Sequence, residues 1–225
     1  MSDRLGRGWP LLLAIAAAGL VALALTALLD RRDLAFSPGV PITRVAAALE
    51  SGETACQWRI RVIEPFQAVE LVPRWLGGPG PALKLTVTGY RSREQRARVG
   101  VPAGYPDNRA LKVPTGAVPA GGRIDVCVTN LGPGRVGIEG GEAESAPTSP
   151  LFVDGRRNEA SALALRFLGE PRSVASQLPV IFQRAALFRP GWVGPWTFWA
   201  LTLLVGAGVP ALLARALAAA REDRA

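Results

Sequence analysis

Two blocks without a charged side chain, one towards each end, most constrain what this chain can fold into. Residues 11–29 are nineteen consecutive uncharged positions rich in Leu and Ala. As a helix rising 1.5 Å per residue they reach about 28 Å, close to the hydrocarbon thickness of a bilayer. Residues 193–213 form the second such block, and nearly all the acidic side chains lie between the two. That segregation predicts membrane spans bracketing a folded domain, and 225 residues leave room for one domain of ordinary size between them.

Arg4 and Arg7 precede the first block and Pro10 opens it, a pattern shared by anchors and secretory signals. A signal's apolar core is usually 7 to 15 residues and ends in a small-x-small cleavage site. This run is longer and ends Ala27, Leu28, Leu29, Asp30, which favours an uncleaved anchor. At the opening of the second block, Trp192, Trp196 and Trp199 recur at spacings of four and three, on one helical face beside Arg189. Indole rings prefer the headgroup boundary, so these four residues are read as a membrane-interface belt and not a ligand stack. Pro210 removes one helical hydrogen bond, to the carbonyl of Gly206, a loss that membrane helices tolerate.

Arg215, Arg221 and Arg224, with Arg4, Arg7 and the amino terminus, favour placing both tails in the cytoplasm, against a weaker outer set of Arg31, Arg32, Arg184 and Arg189. The expected organisation is a cytoplasmic tail at 1–10, a span at 11–29, an extracytoplasmic domain at 30–169, a juxtamembrane amphipathic helix at 170–191, a second span at 192–214 and a cytoplasmic tail at 215–225. The chain is therefore expected in the plasma membrane, with the lipid bilayer as its first partner. Cys56 and Cys127 are the only cysteines, and both fall in the middle domain. An even pair in an exported domain suggests a disulfide.

The middle domain alternates with period two. Trp58, Ile60 and Val62 alternate with Arg59 and Arg61; Leu83, Leu85 and Val87 with Lys84, Thr86 and Thr88; Ile124, Val126 and Val128 with Asp125, Cys127 and Thr129. Such runs are half-buried antiparallel strands. Further candidates are 68–72, 95–101, 135–139, 151–154 and 161–168, separated by Gly- and Pro-rich turns such as 76–81, while 140–150 is acidic and reads as an exposed loop. Seven or eight short strands of this kind predict a mainly β fold, an antiparallel β-sandwich of jelly-roll type. After Leu168, the residues Leu178, Ile181, Phe182, Ala185 and Phe188 recur at helical spacing. Such a helix either lies in the headgroup layer or packs on the sandwich.

Composition excludes several functions. There is no histidine, which removes the commonest general base and metal ligand and every imidazole-dependent triad. Two distant cysteines cannot make a zinc site without it, so no metal and no cofactor is expected. The net charge is +8, almost all of it arginine, but along the chain the basic residues alternate with Glu and Asp. Without a basic stripe no nucleic-acid partner is expected.

Gly132, Gly134 and Gly137 have the spacing of a dinucleotide-binding loop, yet the following residues read as a strand and not as the helix that loop needs, so a hairpin turn is the better account. Asp107, Asp125, Glu139 and Asp154 are carboxylates available for glycoside chemistry, but no spacing places two of them across a cleft, and solvated or turn-forming roles are expected. Trp75, Tyr90 and Tyr105 lie in or beside expected loops, where an aromatic face can stack on a sugar with Asp107 and Asn108 supplying polar contacts. These five are the candidate ligand-binding residues, and no catalytic residue is assigned.

Residues 170–200 open Pro171-Arg172-Ser173, continue through Arg-Ala-Ala-Leu-Phe-Arg-Pro-Gly-Trp at 184–192 and end in the tryptophan-rich opening of the span. In these features the chain resembles uncharacterised two-span membrane proteins of high-GC Gram-positive bacteria, and no activity comes with that resemblance. Pro65 and Phe66 followed by Val69 and Leu71, then 81–87, then 122–130, are similar in pattern to jelly-roll or galactose-binding-like sandwiches. That resemblance implies a non-enzymatic, membrane-anchored accessory protein that binds an envelope glycan or a membrane protein of glycan assembly. The alternative is a structural subunit whose spans pack against a larger membrane complex, with residues 205–210 as the helix contact.

Overall fold

Period-two alternation becomes strands wherever one face can be buried. The computed structural model of the protein describes residues 3–76, 78–186, 193–212 and 215–216. It divides the chain into two units, residues 33–171 and residues 1–32 with 172–225. In chain order the strands are β1 (Arg31–Phe36), β2 (Arg44–Leu49), β3 (Thr54–Arg61), β4 (Phe66–Leu71), β5 (Pro73–Trp75), β6 (Leu83–Gly89) and β7 (Gln95–Val101). Then come β8 (Leu111–Val118), β9 (Arg123–Asn130), β10 (Val136–Glu142), β11 (Leu151–Val153), β12 (Arg156–Asn158), β13 (Ser161–Leu163) and β14 (Arg166–Ser173). The expectation of a mainly β, antiparallel domain holds.

A six-stranded sheet has the order β12-β11-β3-β9-β6-β7, and a four-stranded one the order β1-β14-β4-β8. A third runs β13-β10-β2, with β5 also pairing β10. Their apolar faces share one core, in which Phe36, Phe66 and Phe167 pack ring against ring beside Leu85, Val126 and Val128. Gln57 is the polar exception in this interior. Its side-chain carbonyl accepts the Leu163 N–H at 2.9 Å and its amide donates to the Ser149 carbonyl, so the buried amide is satisfied at both ends.

Several boundaries differ from the expected ones, each for a local reason. Trp58 was expected to point inward, but Ala55 and Gln57 do so instead, and Trp58 is half-buried and stacks on Phe152 at 4.0 Å. A bulge between Gln57 and Ile60, with Arg59 at φ 60°, returns Ile60 to the core. The acidic loop expected at 140–150 begins later, because β10 continues to Glu142. Gly140 permits this: a β-carbon there would collide with the Ala162 carbonyl of β13. Strands β1, β2, β5, β8 and β12 were not foreseen. The Gly132–Gly134–Gly137 spacing does lead into a strand, β10, but not through the expected hairpin, because β9 and β10 belong to different sheets.

In the other unit, α1 spans Asp3–Leu29, α2 spans Val174–Ala186 and α3 spans Pro195–Leu203. The helix expected from residue 170 starts four residues later because β14 runs to Ser173, whose hydroxyl caps α2 by accepting the Ser176 N–H at 3.2 Å. Phe182 of α2 stacks on Phe198 at 5.6 Å and meets Trp199 edge-on at 4.9 Å, so α2 packs on α3. A π turn, Leu204–Gly208, precedes Pro210 and absorbs its missing hydrogen bond. Among the described residues one helix, Pro195–Leu212, is long and apolar enough to cross a bilayer; on the same basis α1 contributes the shorter apolar stretch Ala17–Leu29. Trp196 is exposed, while Trp192 and Arg189 lie outside the described residues.

Candidate functional site

The expected disulfide is present: Cys56 and Cys127 are bonded across the directly opposed positions of β3 and β9, half-buried on the outer face of the six-stranded sheet. The five candidate ligand-binding residues separate into two places. Trp75, Tyr105, Asp107 and Asn108 come together beside β5. The Trp75 N–H donates to Asp107 Oδ1 at 2.7 Å, and the Asn108 N–H donates to the Pro73 carbonyl at 2.9 Å. Gly80 is wedged between Trp75 and Tyr105, where a β-carbon would come within 2.6 Å of the phenol ring.

In this cluster Tyr105 and Trp75 serve packing, while Asp107 and Asn108 are exposed. Tyr105 is only 6% exposed and belongs to the core, and Trp75 packs against it. A ring enclosed in this way offers no face to a ligand. Its hydroxyl and the Trp75 indole nitrogen are buried with no hydrogen-bond partner among the described residues. Burial pushes the Tyr105 phenol up to about 12.

Tyr90 sits elsewhere, in a groove of about 520 Å³ at one end of the six-stranded sheet. Arg61, Arg91, Arg96, Arg123 and the Gly121–Gly122 turn line it with Tyr90. Arg61 ends β3 and Arg123 starts β9, and register makes them direct cross-strand partners. The hairpin from β6 to β7 closes through the Gly89 N–H on the Glu94 carbonyl at 2.9 Å, and the Tyr90 N–H donates to the Arg123 carbonyl at 2.9 Å. Gly121 and Gly122 both adopt left-handed backbone, φ 94° and 72°, which lets the β8–β9 turn pair with Val62.

Asp125 organises this corner from behind. It is 4% exposed, accepts the Arg59 N–H of the bulge at 2.9 Å and lies 4.0 Å from Arg93 Nη1. The pinned Arg59 then carries its guanidinium over the Tyr90 ring, 5.3 Å from the centroid. Arg61, Arg91, Arg96 and Arg123 were not singled out by the sequence, where their neighbours are of both signs; only strand pairing collects them.

The four carboxylates considered for glycoside chemistry have separate structural partners. Asp107 and Asp125 cap backbone N–H groups, and the buried Glu139 has Arg74 Nε at 2.6 Å. Asp154, at φ 46°, forms with Gly155 the two-residue hairpin joining β11 and β12. No group of three or more potential metal-ligating His, Cys, Asp or Glu side chains occurs among the described residues.

No family model and no curated protein matches the chain. Among solved structures it is similar to CsCBM6-3 from Clostridium stercorarium in complex with cellobiose, with a TM-score of 0.30 and 13% identity, covering 49% of this chain and 89% of that one.

Proposed function

We propose that this is a non-enzymatic, membrane-anchored accessory protein whose β domain, a jelly-roll-like sandwich, binds an envelope glycan outside the cytoplasm. The observation that carries this reading is the groove at Tyr90: a concave site on antiparallel strands, joining a half-exposed aromatic ring to several guanidinium donors. Such a combination suits a polyhydroxylated ligand, with apolar ring contact for affinity and a few placed donors for orientation. Binding is favoured over turnover because the lining presents guanidinium groups and no carboxylate.

The disulfide supports an oxidising compartment for the β domain. The apolar helix Pro195–Leu212 supports an anchor, and α1 is assigned to the first span, with both tails in the cytoplasm. Two measurements test the proposal. In intact cells, Cys56 and Cys127 should resist a membrane-impermeant thiol reagent until an impermeant reductant is added, and then label from outside; labelling only after lysis and without reductant would invert the topology. The full-length protein in neutral detergent should be retained by isolated envelope polysaccharide, with Tyr90→Ala weakening retention about ten-fold; equal retention of the variant would remove the groove from the function.

A further inference from the structure

The groove at Tyr90 has a charge pattern that a neutral sugar does not require. Its lining supplies four guanidinium groups and no carboxylate. Arg61 and Arg123 face each other directly across β3 and β9, an arrangement that destabilises an antiparallel pair when the charges are alike. Neither of them, nor Arg91, has an ion-pair partner among the described residues. Nearby carboxylates are committed elsewhere: Asp125 is buried on the Arg59 N–H, and Glu94 holds Arg96 at 3.1 Å.

Resting on the glycan-binding reading, we infer that the ligand is an acidic glycan, and that one of its oxyanions sits between Arg61 and Arg123 with Arg91 completing the contact. A phosphate or carboxylate substituent there removes the repulsion between opposed guanidiniums and accepts their paired N–H donors, the geometry in which arginine outperforms lysine. Tyr90 contacts the sugar ring that carries the charge. The phosphate and carboxylate alternatives share this chemistry, and the test separates them.

The test uses the full-length protein in neutral detergent and three polymers with one backbone: dextran, carboxymethyl dextran and phosphorylated dextran. The expected result is binding of one or both acidic polymers at least ten-fold tighter than plain dextran, weakening as salt is raised. Arg61→Gln and Arg123→Gln should each weaken acidic-polymer binding about ten-fold, as expected for a lost charge-assisted hydrogen bond. Arg156→Gln, on another surface of the domain, should leave it unchanged. Both groove positions are exposed, and the variants should unfold at or above the parent temperature, so weaker binding cannot be ascribed to misfolding.

Equal binding of all three dextrans, insensitive to both arginine variants, would overturn the acidic ligand while leaving glycan binding intact. Binding of none of them, nor of isolated envelope polysaccharide, would overturn both. Equally tight, equally arginine-dependent binding of anionic lipid vesicles or single-stranded DNA would also overturn the inference, because the groove would then be a general anion surface.

Discussion

Two grooves open on the same β domain, and the segment leading through β3 touches both. The one at Tyr90 collects arginines; the other, about 950 Å³, is lined by Glu50, Glu53, Arg135, Asp154, Arg156 and Arg157 among others. In the second groove, opposite charges neutralise each other: Arg135 Nε lies 3.0 Å from Glu50 Oε1, and Arg157 reaches Glu159 at 3.9 Å. The Glu53 carboxylate is turned back onto the Glu50 N–H at 2.8 Å. Both regions draw on a sequence of mixed charge, and strand register alone decides whether the charges pair or accumulate. Exposed pairs like those of the second groove add little to stability and ask nothing of a ligand. Arg61, Arg91 and Arg123, with no ion-pair partner among the described residues, cost stability in the free protein, which suits a surface kept for binding.

The strongest way to break this comparison is to release β3, whose last residue, Arg61, lines the Tyr90 groove. The disulfide closes a separation of 71 residues, and on chain-entropy grounds its loss should cost about 4 kcal/mol. Cys56→Ser with Cys127→Ser should therefore lower the urea midpoint strongly, followed by tryptophan fluorescence, and acidic-dextran binding should fall with it. Unchanged stability would mean that the pairing of β3 with β9, and hence the facing arginines, is held by the strands alone.

The next effect belongs to one groove only. Asp125→Ala leaves the Arg59 N–H without its acceptor and frees Arg59 from the bulge, an expected loss of about 2 kcal/mol. Binding at Tyr90 should weaken because Arg59 no longer fixes the ring, while retention of the Arg135–Glu50 pair, probed by a double-mutant cycle, should be unaffected. A change in that coupling energy would show that the two grooves are not independent.

What could be read from the amino-acid order follows the same division. Strands β7 and β9 were placed within their observed bounds because their alternation is local and uninterrupted. The disulfide followed from two cysteines in one expected domain. Trp58 was assigned to the wrong face because a bulge one residue later resets the alternation, and nothing in the flanking residues marks it. Of the candidate site, Tyr90 was legible and its arginines were not. Arg61 and Arg123 are adjacent only through long-range pairing, and register has no signature in either strand alone. Trp75 and Tyr105 looked like loop aromatics; Tyr105 instead joins the core, and Trp75, on β5, packs against it across Gly80.

A smaller effect sharpens the contrast by moving stability and binding in opposite directions. Arg61→Glu places an acid opposite Arg123, replacing a like pair with an unlike one, and should raise the unfolding free energy by about 0.5 kcal/mol. The same change should abolish binding of acidic dextran. Glu50→Gln in the second groove should cost no more than about 0.5 kcal/mol and alter no binding. If Arg61→Glu destabilises the domain, the facing arginines are not in conflict and the case for an oxyanion between them weakens.

The last effect uses the only two tyrosines as reporters of the two aromatic environments. Tyr105 holds its proton up to about 12 in the folded protein against about 10 when unfolded. A raised phenol value means that the unfolded chain loses its proton first, so this group's contribution to stability is complete below pH 10 and is lost as pH rises through 12. Alkaline difference absorbance should therefore show one phenol ionising near 12, and Tyr105→Phe should delete that transition and flatten the fall in stability between pH 10 and 12. Acidic dextran should perturb the other tyrosine and leave the late transition where it was. If the polymer shifts the late transition instead, the ligand reaches the Trp75–Tyr105 cluster, and the division between a packing unit and a binding groove fails.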